Sequence, residues 1–153
     1  MSNKNALIDT LSDKELGLVA GVHALEECML DMPEEDHIDL YNAAVHHFAP
    51  GVYMRELTLP KGSVCTGKIH KTTFLNVIAQ GSVAVSSVDG TVVYSAPCVF
   101  TTHPGVKRAV FAIEDTVWMG IWGTDETDLE KLEDMIIAKD YHDPALLEHY
   151  EEK

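Results

Sequence analysis

The sequence predicts a mainly β domain, a barrel or sandwich of short antiparallel strands with α-helices before and after it. Three observations predict this. From Gly51 to Trp122, apolar and polar residues alternate with period two, the period of a strand with one buried face. Gly and Pro punctuate that region at intervals of roughly 8–12 residues, as in all-β architectures. On either side of it, over 12–31 and 125–139, apolar residues recur at helical spacing instead. The 153 residues suit one domain, read as a helical extension over 1–50, a barrel over 51–122 and C-terminal helices over 123–153.

The elements follow in order. Ser12 with Glu15 fits a capping box at the start of a helix over 12–31, in which each side chain satisfies an open N–H of the other. Leu16, Val19, Ala20, Val22, His23, Leu25 and Met29 form its apolar stripe, and Pro33 ends the run. Residues 34–50 read as a short helix leading into an extended segment. Then come the strands VYMRELTL, SVCTGKIH, FLNVIAQ, SVAVSSV, TVVYSA, CVFTT, KRAVFAI and TVWMGIW. Asp89-Gly90 predicts a type I′ hairpin turn, which requires positive φ. Thr124 or Asp125 caps the next helix, with Leu129, Leu132, Met135 and Ile136 on one face. Asp143 caps the last, PALLEHYEE, with Pro144 at its first position.

Charge is unevenly distributed. The chain carries −14 overall, with −8 in 1–50, +2 in 51–122 and −8 in 123–153. An acidic total argues against nucleic acid and anionic membranes, whose binding needs a basic footprint. No apolar run reaches the roughly 20 residues that span a bilayer, and the N-terminal residues lack an apolar signal region. Cys28, Cys65 and Cys98 are widely spaced and odd in number, which predicts free thiols in a reducing cytoplasm. There is no phosphate-binding glycine loop, no dinucleotide fingerprint, no zinc-finger spacing and no GxSxG elbow. His46 and His47 are adjacent, so on a strand they face opposite sides and read as polar surface residues. His37 between Asp36 and Asp39 reads as a solvated acidic stretch.

The stretch from Gly62 through SVCTG, Lys68, Ile69 and His70 to Phe74 and Gly81 resembles the first motif of the cupin family. Its spacing is Gly, five residues, two ligand positions two apart, a further ligand position, six residues and Gly. His103-Pro104-Gly105-Val106-Lys107-Arg108 resembles the second motif and puts Arg108 at its ligand position. The resemblance covers 51–122 and implies a cupin-type double-stranded β-helix, a jelly-roll barrel flanked by the helices. In the family these positions hold a divalent metal inside the barrel. Here they read Lys68, His70, Phe74 (or Thr73 with shorter spacing) and Arg108, so one ligand of four is kept. Metal binding needs several neutral or anionic donors; the expectation is a metal-independent protein with no cofactor. The strings HHFAPGVYMRE, PKGSVCTGKIHKT and APCVFTTHPGVKRAVFAIEDTVW look like small cupin-like proteins of tailed bacteriophages and prophages. In that group Glu and His commonly stand where this chain has Thr73 and Phe74. This likeness implies a phage origin, a homo-oligomer and no assigned reaction.

Residues two apart on a strand share a face, so Lys68 and His70 are expected to point into the barrel together, with Arg108 approaching them. His103 and Lys107 are expected at the mouth, and Phe74, Tyr53, Tyr94, Trp118 and Trp122 as an apolar or stacking wall. A guanidinium and an ammonium beside apolar walls fit a carboxylate or phosphate. The first functional reading is a binder of a small anion, nucleotide-like or an acidic metabolite, which in a phage product would sequester a host signal. The second is a metal-independent isomerase or lyase with His70 as acid or base and Lys68 and Arg108 stabilising an enolate-like charge. The third is a structural or assembly protein, in which the bases pair with nearby acids and the aromatics are plain core. Location is expected to be the host cytoplasm, or the virion on the third reading.

Overall fold

The computed structural model describes residues 6–40, 42–105 and 107–150. After a 3₁₀ turn at Leu7–Thr10, helix α1 spans Asp13–Leu30. Its capping box forms as expected: the Ser12 N–H donates to Glu15 Oε2 at 2.8 Å, and the Glu15 N–H to Ser12 Oγ at 3.4 Å. The expected apolar stripe is weaker than its pattern suggested. Only Val22 is buried, whereas Leu16, Ala20 and His23 are exposed. Hydrophobicity is therefore not the main tether of α1. Lys14 pairs with Asp89 at 3.3 Å, and Thr66 donates to Glu26 at 2.7 Å.

Ten strands follow: β1 Val45–Ala49, β2 Val52–Leu59, β3 Val64–Thr66, β4 Ile69–His70, β5 Phe74–Gln80, β6 Ser82–Ser87, β7 Gly90–Ser95, β8 Cys98–Thr102, β9 Ala109–Ala112 and β10 Thr116–Gly123. Helix α2 (Leu129–Ile136), a short strand β11 (Ile137–Ala138) and helix α3 (Ala145–Tyr150) complete the chain. Every pairing is antiparallel: five strands in the order β1-β2-β10-β5-β8, four in the order β3-β9-β6-β7, and β4 with β11. The chain repeatedly crosses between the two larger sheets, the wiring of a jelly roll. The mainly β fold with helices at both ends is thus the one expected. Their inner faces meet in a core of Leu59, Ile78, Val83, Val85, Val110 and Ala112. Among the described residues no helix is long and apolar enough to cross a membrane.

Three local readings differ. The sheet begins at Val45, so the extended segment expected at the end of 34–50 is a barrel strand, β1, paired to β2 from Val45↔Glu56 to Ala49↔Val52, and the barrel starts before residue 51. The β6–β7 loop consists of Val88 and Asp89, because Ser87 pairs with Gly90. No described residue other than glycine has positive φ, so the turn is not type I′; Gly90 alone is left-handed, at 117°. The cap of α2 is Asp128, accepting from the Lys131 N–H at 3.0 Å, rather than Thr124 or Asp125. Asp125 is used elsewhere, accepting from the Gly51 N–H at 2.6 Å. Asp143 does accept from the Ala145 N–H at 3.0 Å at the start of α3; Glu151 and Glu152, expected in that helix, lie outside the described residues. Gly81 shows what a motif glycine is for. Its φ is 79°, and an added Cβ would lie 2.2 Å from the Asp115 carbonyl oxygen.

Candidate ligand-binding site

Strand register sets the site in levels. Along β2 the inward residues are Tyr53, Arg55, Leu57 and Leu59. Across β10 these stand opposite Trp122, Gly120, Trp118 and Thr116. Gly120 is in turn opposite Asn76, and Trp118 opposite Ile78, on β5. The level of Leu59 and Ile78 belongs to the packed core. Above that core lies a cavity of about 440 Å³. Lys68, His70, Phe74, His103, Lys107, Arg108 and Trp118 all line it. Tyr53, expected among them, lines instead an adjoining cavity of about 290 Å³ beside α2. Tyr53 packs there with Leu132 and Ile136 of α2, behind Trp122, whose ring stacks on it.

Arg55 and His46 line both cavities, and neither was expected in the site. The Arg55 guanidinium lies 5.2 Å from the Trp122 ring centroid, a cation–π contact worth about 0.5–2 kcal/mol according to its desolvation. Trp122 is held flat by its neighbours. Phe74 stacks on it at 4.5 Å between centroids and Tyr53 at 5.4 Å. Gly120 makes the room: a Cβ there would sit 2.6 Å from the indole. His46, on the inward face of β1, shares a 2.8 Å hydrogen bond between Nδ1 and the Tyr53 hydroxyl. Its neighbour His47 faces outward toward Glu56 at 3.3 Å. The opposite-facing expectation therefore holds, but His46 is not a surface residue. A signal for Arg55 was present in VYMRELTL, where a base shares strand parity with Tyr53, Leu57 and Leu59.

The other bases differ in their partners. Lys68 is salt-bridged to Glu133 of α2, and Lys107 to Glu26 of α1. Burial alone would raise the Glu26 carboxyl, but hydrogen bonds from Lys107 and Thr66 outweigh it and hold the group below its ordinary value. Arg108 has the strand parity of Val110 but is exposed at the rim, where Nη1 donates to the Ser86 carbonyl at 3.4 Å. Neither Arg55 nor Arg108 has a carboxylate in salt-bridge range among the described residues. The acids of the barrel region nearest in sequence are engaged elsewhere. Glu56 meets His47, Glu114 accepts from Ser82 Oγ at 3.0 Å, and Asp115 accepts from the Lys61 N–H at 2.8 Å.

His70 sits on β4, paired to Ile137 of β11, with its ring 4.5 Å from Phe74 and 6.2 Å from Trp122. Burial, reinforced by the Arg55 charge and only partly opposed by Glu133, pushes its pKa down to about 4. At neutral pH it is an uncharged imidazole, so it adds no positive charge to the cavity. Its Nδ1 is buried without a hydrogen-bond partner among the described residues, as is Trp122 Nε1. Asn76, by contrast, is buried with both its oxygen and its nitrogen engaged: it accepts from Trp118 Nε1 and donates to Thr102 Oγ1, both at 2.8 Å. Burial also pushes the Cys65 thiol up to about 11, which makes it inert at neutral pH.

The metal implied by the cupin resemblance does not fit these residues. Of Lys68, His70, Phe74 and Arg108, only His70 offers a lone pair, and two of the others carry positive charge that repels a cation. No group of three His, Cys, Asp or Glu among the described residues is placed to hold a metal ion.

No protein-family model matches the chain, and no curated protein matches it. Solved structures with similar folds include a cupin-2 domain protein from Shewanella frigidimarina (11% identity, 66% of this chain and 92% of that one, TM-score 0.45). Others are KdgF from Halomonas sp. (13% identity, 60% and 91%, TM-score 0.45) and a protein from Neisseria meningitidis (12% identity, 65% and 96%, TM-score 0.46). Likenesses this remote carry no activity, substrate or metal over to this chain.

Proposed function

We propose that this chain binds a small organic anion inside its barrel, with Arg55 as the charge partner and no metal involved. The observation that carries the reading is Arg55 itself: a permanent cation lining the cavity, seated on Trp122, with no carboxylate partner among the described residues. A half-buried cation with no carboxylate in salt-bridge range among the described residues has given up part of its hydration without a direct partner, and an incoming anion supplies that partner. The unpartnered Nδ1 of His70 adds a directional hydrogen-bonding group nearby. Turnover through His70 is less favoured. Nothing among the described residues hydrogen-bonds its Nδ1 to orient the ring, and a pKa near 4 makes it a weak base at neutral pH. The proposed role, which rests on the phage resemblance, is sequestration of a host metabolite.

The test is isothermal titration of the full chain with a panel of carboxylates and phosphates, repeated on Arg55→Met and Arg108→Ala. A charge-assisted contact is worth roughly 1.5–3 kcal/mol, so Arg55→Met is expected to weaken binding about 10- to 100-fold. Arg108→Ala, at the solvated rim, is expected to cost less than about fivefold. Equal affinity in the wild-type chain and Arg55→Met would refute the assignment. Product formation from a bound anion, abolished by His70→Ala, would replace the binder with the enzyme.

A further inference from the structure

We propose that the ligand is an apolar monocarboxylate, with its carboxylate on Arg55 and an uninterrupted hydrocarbon or aryl body of roughly ten to fifteen non-hydrogen atoms lying over the core. This rests on the anion-binding reading above and narrows it. Three observations carry it: the charge on offer, the chemistry of the floor and the volume.

Four bases line the cavity, but they do not act as four charges. Lys68 and Lys107 are held by carboxylates of the two flanking helices, and Arg108 is at the exposed rim. Arg55 is left as the interior cation, and its planar fork matches one carboxylate bidentately. A phosphate monoester carries about −1.5 to −2 at neutral pH and needs a second interior cation to be neutralised.

Beyond Arg55 the lining is mostly apolar, with Leu57, Leu59, Val85, Phe100, Val110 and Trp118. Of the polar side chains there, Trp118, Asn76 and Thr102 hydrogen-bond to one another, which leaves the Tyr94 hydroxyl and the Cys65 thiol as the remaining polar groups at that depth. A nucleobase or sugar placed there would bury donors and acceptors without partners, each costing roughly tenfold or more in affinity. A hydrocarbon body loses nothing and gains burial. The volume, about 440 Å³, lies toward the smaller end of the roughly 300–1,000 Å³ of small-molecule pockets, which fits a body of this size.

The experiment is titration calorimetry of the full chain with n-alkanoates of four to twelve carbons, 3-phenylpropionate, n-octanol, AMP and inorganic phosphate. Affinity is expected to rise about fourfold per added methylene until the cavity is full, then to level or fall. Octanoate is expected to bind at least tenfold tighter than octanol, and Arg55→Met to remove that difference. Arg55→Lys, a second variant that keeps charge without the fork, is expected to keep part of it. The plateau of the alkanoate series against 3-phenylpropionate tells an alkyl from an aryl body, either being the proposed chemistry. AMP or phosphate binding through Arg55 while the alkanoates fail would overturn this inference and leave the anion reading standing. A flat chain-length series would overturn it as well. Failure of every anion to bind the folded chain would remove both.

Discussion

The two ends of the barrel interior are built by the same strands to opposite ends. At the far end Leu59 and Ile78 from one sheet meet Val83 and Ala112 from the other, each at most 2% exposed. Two residues along β2 from Leu59, and two more, the inward positions become Leu57 and Arg55, and the sheets enclose open space instead of filling it. Period-two alternation is identical at both ends. What changes is side-chain chemistry: branched aliphatics that interlock, against a guanidinium, a neutral imidazole and aromatic rings occupied with one another. Stability and recognition are thereby separated along the strand axis by a few residues. A jelly roll can then tolerate a roomy, charged interior at one end because the other end is close-packed.

The largest expected break in this comparison is Ile78→Ala. It removes a fully buried side chain from the packed end and should cost about 2–5 kcal/mol in urea unfolding, while the affinity of the folded fraction for its anion stays within about twofold. A large loss of affinity would mean that the two ends are coupled.

Next comes pH. His70 has a folded-state pKa of about 4 against an ordinary 6.5. The folded state therefore refuses a proton that the unfolded chain accepts. Its contribution is fully present above about pH 6.5 and is lost as pH falls from there toward 4, a total on the order of 3 kcal/mol. Unfolding curves from pH 7.5 to 4 should show a shallower decline in His70→Gln than in the wild-type chain. Parallel curves would mean that the imidazole is not desolvated as described.

Gly120→Ala tests the recognition end alone. The new methyl meets the Trp122 ring, which must move and take the Arg55 seat with it. Anion affinity is expected to fall about tenfold, with quenching or a shift of the tryptophan fluorescence and a smaller effect on unfolding. The smallest expected effect is from Glu26→Gln. It releases Lys107 and loosens α1, costing about 1 kcal/mol or less for a partly exposed pair. Weak phosphate binding gained by this variant would show that helix carboxylates normally neutralise the mouth.

Much of this was legible from local pattern. Strand positions, the Ser12–Glu15 capping box and the need for glycine at 81 depend on residues near one another in sequence. The cupin-like spacing brought Lys68, His70, Phe74 and Arg108 to one cavity. It did not reveal that Lys68 would meet Glu133, 65 residues away, or Lys107 meet Glu26, 81 residues away. The extended segment before Gly51 was legible, but not that it joins the barrel, because its pairing with β2, rather than the local propensity of VHHFA, decides that. Arg55 was counted among the bases but not placed, since parity names a face without saying what lies across from it.

The sequence by itself determined most of the order of strands and helices, their inward and outward faces, and the acidic ends around a weakly basic middle. These follow from periodicity, turn chemistry and residue type. Only the tertiary structure decided which charges neutralise one another and which cation remains. Pairing between charges depends on distances across sheets and from helix to barrel, and those distances are set by register and packing.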